Sequence, residues 1–136
     1  MMTKVNRKPF ASWKKNTILI ADDAPLMRTM LKDVIKTNGL ATEIFEATNG
    51  DDAIKKYLLH KPNLVIMDVI MPKTNGIEAL QQIKKIDPKA KVLMISSSDE
   101  KINVQDAMKL GAIDYIVKPI DRSSLALSIN RALRRN

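Results

Sequence analysis

From Asn16 onward the chain alternates between two hydrophobic rhythms. Short apolar runs, TILIA (17–21), TEIFEA (42–47), LVIM (64–67), VLMI (92–95) and IDYIV (113–117), are separated by stretches whose apolar positions return at helical spacing. Leu26, Met27, Met30, Leu31, Val34 and Ile35 form a wide first stripe. Ala53, Ile54, Tyr57 and Leu58 form another, and Leu125, Ile129, Ala132 and Leu133 a last one. Asp23-Ala24-Pro25 predicts the start of the first helix, since proline suits a helix's first turn, and Gly39 follows its end. Five strands alternating with five helices predict an α/β domain whose parallel sheet is covered on both faces.

The strands differ in a way that predicts their order. Runs one, three and four are continuously apolar, as strands buried on both faces must be. Run two carries Glu43 and Glu46, and run five carries Asp114, so both belong at sheet edges. Edges at two and five fit the order 2-1-3-4-5, the flavodoxin-like doubly wound sheet. Ligands of such sheets bind beyond the carboxyl ends of the strands, near the switch between strands one and three.

Composition narrows the classes. With 136 residues, 45% of them hydrophobic, the chain can bury a core without cross-links. It has no cysteine, which removes disulfides, thiolate zinc sites and thiol catalysis, and fits a cytoplasmic location. No segment approaches the roughly 18 consecutive apolar residues of a membrane span, so no membrane insertion is expected. The net charge is +8, yet Lys4, Arg7, Lys8, Lys14 and Lys15 supply five bases before any acid appears. Residues 1–16 are therefore expected to be a basic, solvated extension, on which Phe10 and Trp13 could make contact with the domain at 17–136. Nucleic acid is not an expected partner, unless through that extension.

The chemistry gathers at the carboxyl edge. Strand one is followed by Asp22-Asp23, strand three by Asp68, strand four by Ser96-Ser97-Ser98 and strand five by Lys118-Pro119. An aspartate at a strand end ordinarily caps the next turn. Here strands one and three are neighbours, so three carboxylates converge, and like charges so close call for a cation. Carboxylate oxygens with waters suit Mg²⁺. Ser96 can donate to a phosphoryl oxygen, and Lys118 supplies a compact positive charge. A lone carboxylate in the greasy NLVIMDVIMP (63–72) then makes sense as a nucleophile that becomes an aspartyl phosphate. His60, beside Lys61 and Pro62, is expected to be merely exposed.

With LIADD, VIMDVIMPKTNG, VLMISS and GAIDYIVKP in order and correctly spaced, the chain resembles the receiver domain of bacterial response regulators, above all the free-standing, CheY-like chemotaxis type, itself a bearer of the 2-1-3-4-5 order. The resemblance covers Thr17 to about Leu133. It implies that Asp68 is the phosphoacceptor, receiving its group from a histidine kinase or phosphotransfer protein. It implies Mg²⁺ bound by Asp23 and Asp68, by Asp22 mainly through water, and by the backbone carbonyl of Ile70. Ser96 takes the hydroxyl position that follows the phosphoryl oxygen, Lys118 the lysine position, and Tyr115 that of the aromatic that changes rotamer. A downstream target is then expected to read helix four, strand five and helix five.

Some residues depart from the family pattern. Ile70 and Ser98 occupy positions that tune dephosphorylation, and an apolar Ile70 implies a long-lived phosphate. Ser96 replaces a commoner threonine, Ile120 a frequent aromatic, and Asn75 a common aspartate. After Leu133 only three residues remain, so a stand-alone receiver is expected. A receiver fragment of a longer DNA-binding regulator and an intermediate phosphate-relay protein are the alternatives. A flavin carrier would need a Ser/Thr/Gly-rich loop where ADDAPLM stands, and an aspartate phosphatase a second acid where Ile70 stands. Nucleotide-binding glycine motifs are missing.

Overall fold

A computed structural model describes residues 16–97 and 104–135. Five strands, β1 (Thr17–Ala21), β2 (Glu43–Ala47), β3 (Leu64–Asp68), β4 (Val92–Ser97) and β5 (Asp114–Lys118), alternate with five helices. The helices are α1 (Pro25–Thr37), α2 (Gly50–His60), α3 (Gly76–Ile86), α4 (Val104–Lys109) and α5 (Arg122–Arg134). The sheet is parallel in the order β2-β1-β3-β4-β5, as the placement of charge along the strands predicted. Phe10, Trp13, Ser98 and the basic extension before Asn16 lie outside the described residues.

Alternation along each strand divides the core in two. Ile18, Ile20 and Ile66 face α1 and α5, packing with Leu31, Ile35 and Ile129. Leu19, Val65 and Met67 face the other way, with Tyr57, Leu80 and Ile83. Both layers are almost wholly removed from water, which fixes strand register, because a one-residue slip would turn each strand inside out.

Side chains cap the starts of α2, α3 and α5. Asn49 accepts from the Asp52 N–H at 2.8 Å, Asn75 from Glu78 at 2.9 Å and Asp121 from Ser124 at 2.9 Å. Each cap is worth about 1 kcal/mol. Three strands run past the ends of their apolar runs, and Asp68 lies inside β3, paired with Ile95. Ser96 and Ser97 lie inside β4, and Lys118 inside β5, because the ladder pairs Ser96 with Val117 and Ser97 with Lys118. Polar residues thus continue the sheet where apolar periodicity has already stopped. His60 is exposed, but its ring also stacks on Phe45, with centroids 3.8 Å apart and planes 9° from parallel.

Candidate functional site

β1 delivers Asp22 and Asp23 to the carboxyl edge, and its neighbour β3 delivers Asp68. One carboxylate oxygen from each of the three lies within 4.8 Å of the others. Asp22 is 2% exposed and Asp68 6%, while Asp23 is open to solvent. Lys118 reaches in from β5, its Nζ 3.3 Å from Asp68 Oδ1. The Asp22 carboxyl is pushed above its ordinary pKa, chiefly by burial; the Ala24 N–H, donating at 2.8 Å, and the charge of Lys118 work against the rise, and Asp23 adds to it. A simple Lys118–Asp68 salt bridge therefore accounts for one carboxylate and leaves the burial of Asp22 as an electrostatic cost. Three convergent carboxylates, two of them buried, are hard oxygen donors that fit a divalent cation.

The surrounding backbone holds this arrangement closely. A Cβ on Gly76 would stand 1.9 Å from the Asp68 carbonyl oxygen, so only glycine lets α3 start against the end of β3. A Cβ on Gly50 would stand 1.8 Å from the carbonyl oxygen of Thr74, whose hydroxyl bonds to Asp51. The loop after β3 is thereby seated on the start of α2. Ile70 lies in that loop, its side chain 61% exposed. Asn75 closes it with a reciprocal capping box to Glu78, a role an aspartate could fill equally well.

On the other side of the site, the fully buried Ser96 exchanges a hydrogen bond with the Tyr115 hydroxyl across β4 and β5. Tyr115 is half-buried and packs against the core layer beneath α2, α3 and α4. The Lys118–Pro119 peptide is cis. Asp22, Asp23, Asp68 and Lys118 thus meet as the sequence predicted, and Ser96 meets Tyr115.

Sequence reasoning missed Arg28 and Glu46. Arg28 Nη1 donates to the Asp22 carbonyl at 2.8 Å, while its Nε pairs with Glu46 at 2.9 Å. Lys32 adds a second bond to Glu46 at 3.0 Å, and these partners hold the Glu46 carboxyl below its ordinary pKa, Lys32 most strongly. Glu46 is therefore more than an edge charge: it anchors the arginine that braces the Asp22 backbone. The spacing of Arg28 three residues after Pro25 carried no sign of this, because Glu46 comes from a neighbouring strand.

Residues 18–130 match the response regulator receiver domain family. The chain is 45% identical over 116 residues to the chemotaxis protein CheY of Bacillus subtilis, covering 85% of this chain and 96% of that one. It is 46% identical over 114 residues to the chemotaxis protein CheY of Thermotoga maritima, covering 84% and 94%. Among solved structures it is similar to a chain of the CheX–CheY–BeF3–Mg²⁺ complex from Borrelia burgdorferi, with a TM-score of 0.85 and 30% identity over 95% of this chain and 98% of that one.

Proposed function

This chain belongs to the response regulator receiver family, and we propose that Asp68 is its phosphoacceptor, the centre of a two-component signalling switch of the CheY-like kind. The observation that carries this reading is the convergence of Asp22, Asp23 and Asp68, with Lys118 3.3 Å from Asp68.

An Asp68 carboxylate oxygen attacks the phosphorus of a phosphohistidine on a histidine kinase or phosphotransfer protein. The new O–P bond forms as the N–P bond breaks, and the released imidazole takes up a proton. Burial of Asp68 limits water around the carboxylate, and Lys118 fixes its orientation and offsets charge on the transferred group. Ser96 donates its hydroxyl to a phosphoryl oxygen. Asp22, Asp23, Asp68 and the carbonyl of Ile70 would hold Mg²⁺, whose chemistry there is to neutralise phosphoryl oxygens during in-line transfer. We place the reaction in the cytoplasm, a location that the absence of cysteine fits. Among the described residues no helix is long and apolar enough to cross a membrane.

Phosphorylation adds up to about two negative charges. Ser96 turning toward them gives up its bond to Tyr115, and that change reaches α4, β5 and α5, where a downstream target protein binds. The Borrelia structure is a complex of CheX and CheY with BeF3 and Mg²⁺. The test is intact-mass analysis after acetyl phosphate, with Mg²⁺ or with chelator, on the parent and on Asp68→Asn. One added phosphoryl group that requires both Mg²⁺ and Asp68 is expected. An adduct that survives Asp68→Asn would move the phosphoacceptor elsewhere.

A further inference from the structure

The pole opposite the acidic site is basic beyond what its helices require. Helices α1, α2, α3 and α5 run down to that pole, and bases in their last turns, such as Lys36, Lys84, Lys85 and Arg131, suit helix dipoles. Lys61, Lys89 and Lys91 stand between elements, outside any helix. Lys61 and Lys84 both lie close enough to Asp87 to lower its carboxyl pKa, behind hydrogen bonds from the Tyr57 hydroxyl at 2.7 Å and the Lys89 N–H at 3.1 Å. Lys84, Lys89 and Lys91 then line, with Arg135, a cleft of about 430 Å³. One band of positive charge therefore runs from the end of α2 to the end of α5. Lys84 Nζ donates to the carbonyls of Pro88 and Ala90 at 2.6 and 2.8 Å, and Lys91 Nζ to those of Leu133 and Arg135, while Lys61 and Lys89 stand exposed. Burial, and behind it the charge of Arg135, push the Lys91 ammonium below its ordinary pKa.

Aliphatic side chains stand out of the same band. Leu59, in the last turn of α2, is 75% exposed, and Ile86, closing α3, is 51% exposed. The Tyr57–Asp87 bond ties these two helix ends together. The chain also enters the sheet here. The Asn63 side chain accepts from the Thr17 N–H at 2.7 Å, and the Asn63 N–H donates to the Thr17 carbonyl at 2.9 Å.

We propose that this pole docks on an anionic phospholipid surface, with the exposed Lys61 and Lys89 over the headgroups and Leu59 and Ile86 entering the interface. Bases with interspersed aliphatic residues are the composition of an interfacial contact, in which apolar burial and headgroup attraction add. A nucleic acid would use the charge and leave the exposed leucine without a role. The acidic site at the far end of the sheet stays open to its partners.

The experiment is co-sedimentation of the full chain with vesicles of phosphatidylglycerol and phosphatidylcholine, beside phosphatidylcholine alone and a short DNA duplex. The expected result is partitioning onto the anionic vesicles alone, weakened by salt. The double variant Lys61→Gln/Lys89→Gln should lose about fivefold per charge removed. Leu59→Ser leaves the charge unchanged and should still weaken vesicle binding several-fold. All three positions are exposed, so the variants fold. Absence of binding to anionic vesicles, wild-type binding by Leu59→Ser, or a preference for the duplex would each overturn the proposal.

Discussion

The hydroxyls of Ser96 and Tyr115 are hydrogen-bonded to each other across β4 and β5. One of these residues is wholly buried beside the acidic edge, and the other reaches toward the helix-covered flank. A single polar contact therefore joins the proposed phosphoryl pocket to the surface beyond it.

Tyr115→Phe removes that contact and keeps the ring. It should cost about 1 kcal/mol in urea unfolding, the ordinary worth of a hydrogen bond. Phosphoryl uptake by intact mass should persist, while amide shifts in α4 and β5 upon phosphorylation shrink. Shifts of full size there would show that Tyr115 carries no part of the signal.

Burial raises the Asp22 carboxyl pKa, a cost that the proposed Mg²⁺ would offset. Asp22→Asn should be more stable than the parent at pH 7 in chelator, and should lose most of the stabilisation by Mg²⁺. For the parent that stabilisation reaches about 2.7 kcal/mol at a Mg²⁺ concentration 100 times its Kd. Equal Mg²⁺ responses in thermal unfolding of both proteins would remove Asp22 from the site.

Gly76→Ala drives a Cβ against the Asp68 carbonyl, and backbone on both sides must shift. Overpacking of this kind should cost about 3 kcal/mol, and displacement of β3's end should slow phosphoryl uptake as well. Unfolding curves and uptake rates on one preparation test both effects. A stable, fully active variant would mean that α3 can pivot away freely.

Ile70 offers no polar group to orient an attacking water. Ile70→Asn should shorten the lifetime of the phosphorylated form several-fold, read as decay of the added mass after donor removal. Its exposure makes a folding defect an unsuitable explanation for any change.

Glu46 carries a pH signature away from the acidic cluster. Its folded pKa lies below the ordinary 4.5, so its contribution is complete above that value and disappears as pH falls through the depressed folded pKa. With the pair partly exposed, the contribution is small, about 0.5 kcal/mol. Glu46→Gln should be less stable than the parent by that amount at pH 7, with the two converging at low pH. A constant difference down to low pH would mean that Glu46 acts by packing.

The sequence by itself determined the strand order, since continuous apolar runs must be buried on both faces and interrupted ones must lie at edges. It also determined which carboxylates meet, because β1 and β3 are neighbours in that order. What it left open were contacts between elements distant in the chain. Glu46 bracing Arg28, Gly76 under the Asp68 carbonyl, and the stacking of His60 on Phe45 all depend on where a side chain points once the layers are packed. Local periodicity holds no information on that. The basic pole belongs to the same class. Its lysines come from the end of α2, the last turn of α3 and the loop before β4, and only the parallel sheet, by bringing every strand start to one end, gathers them into a surface.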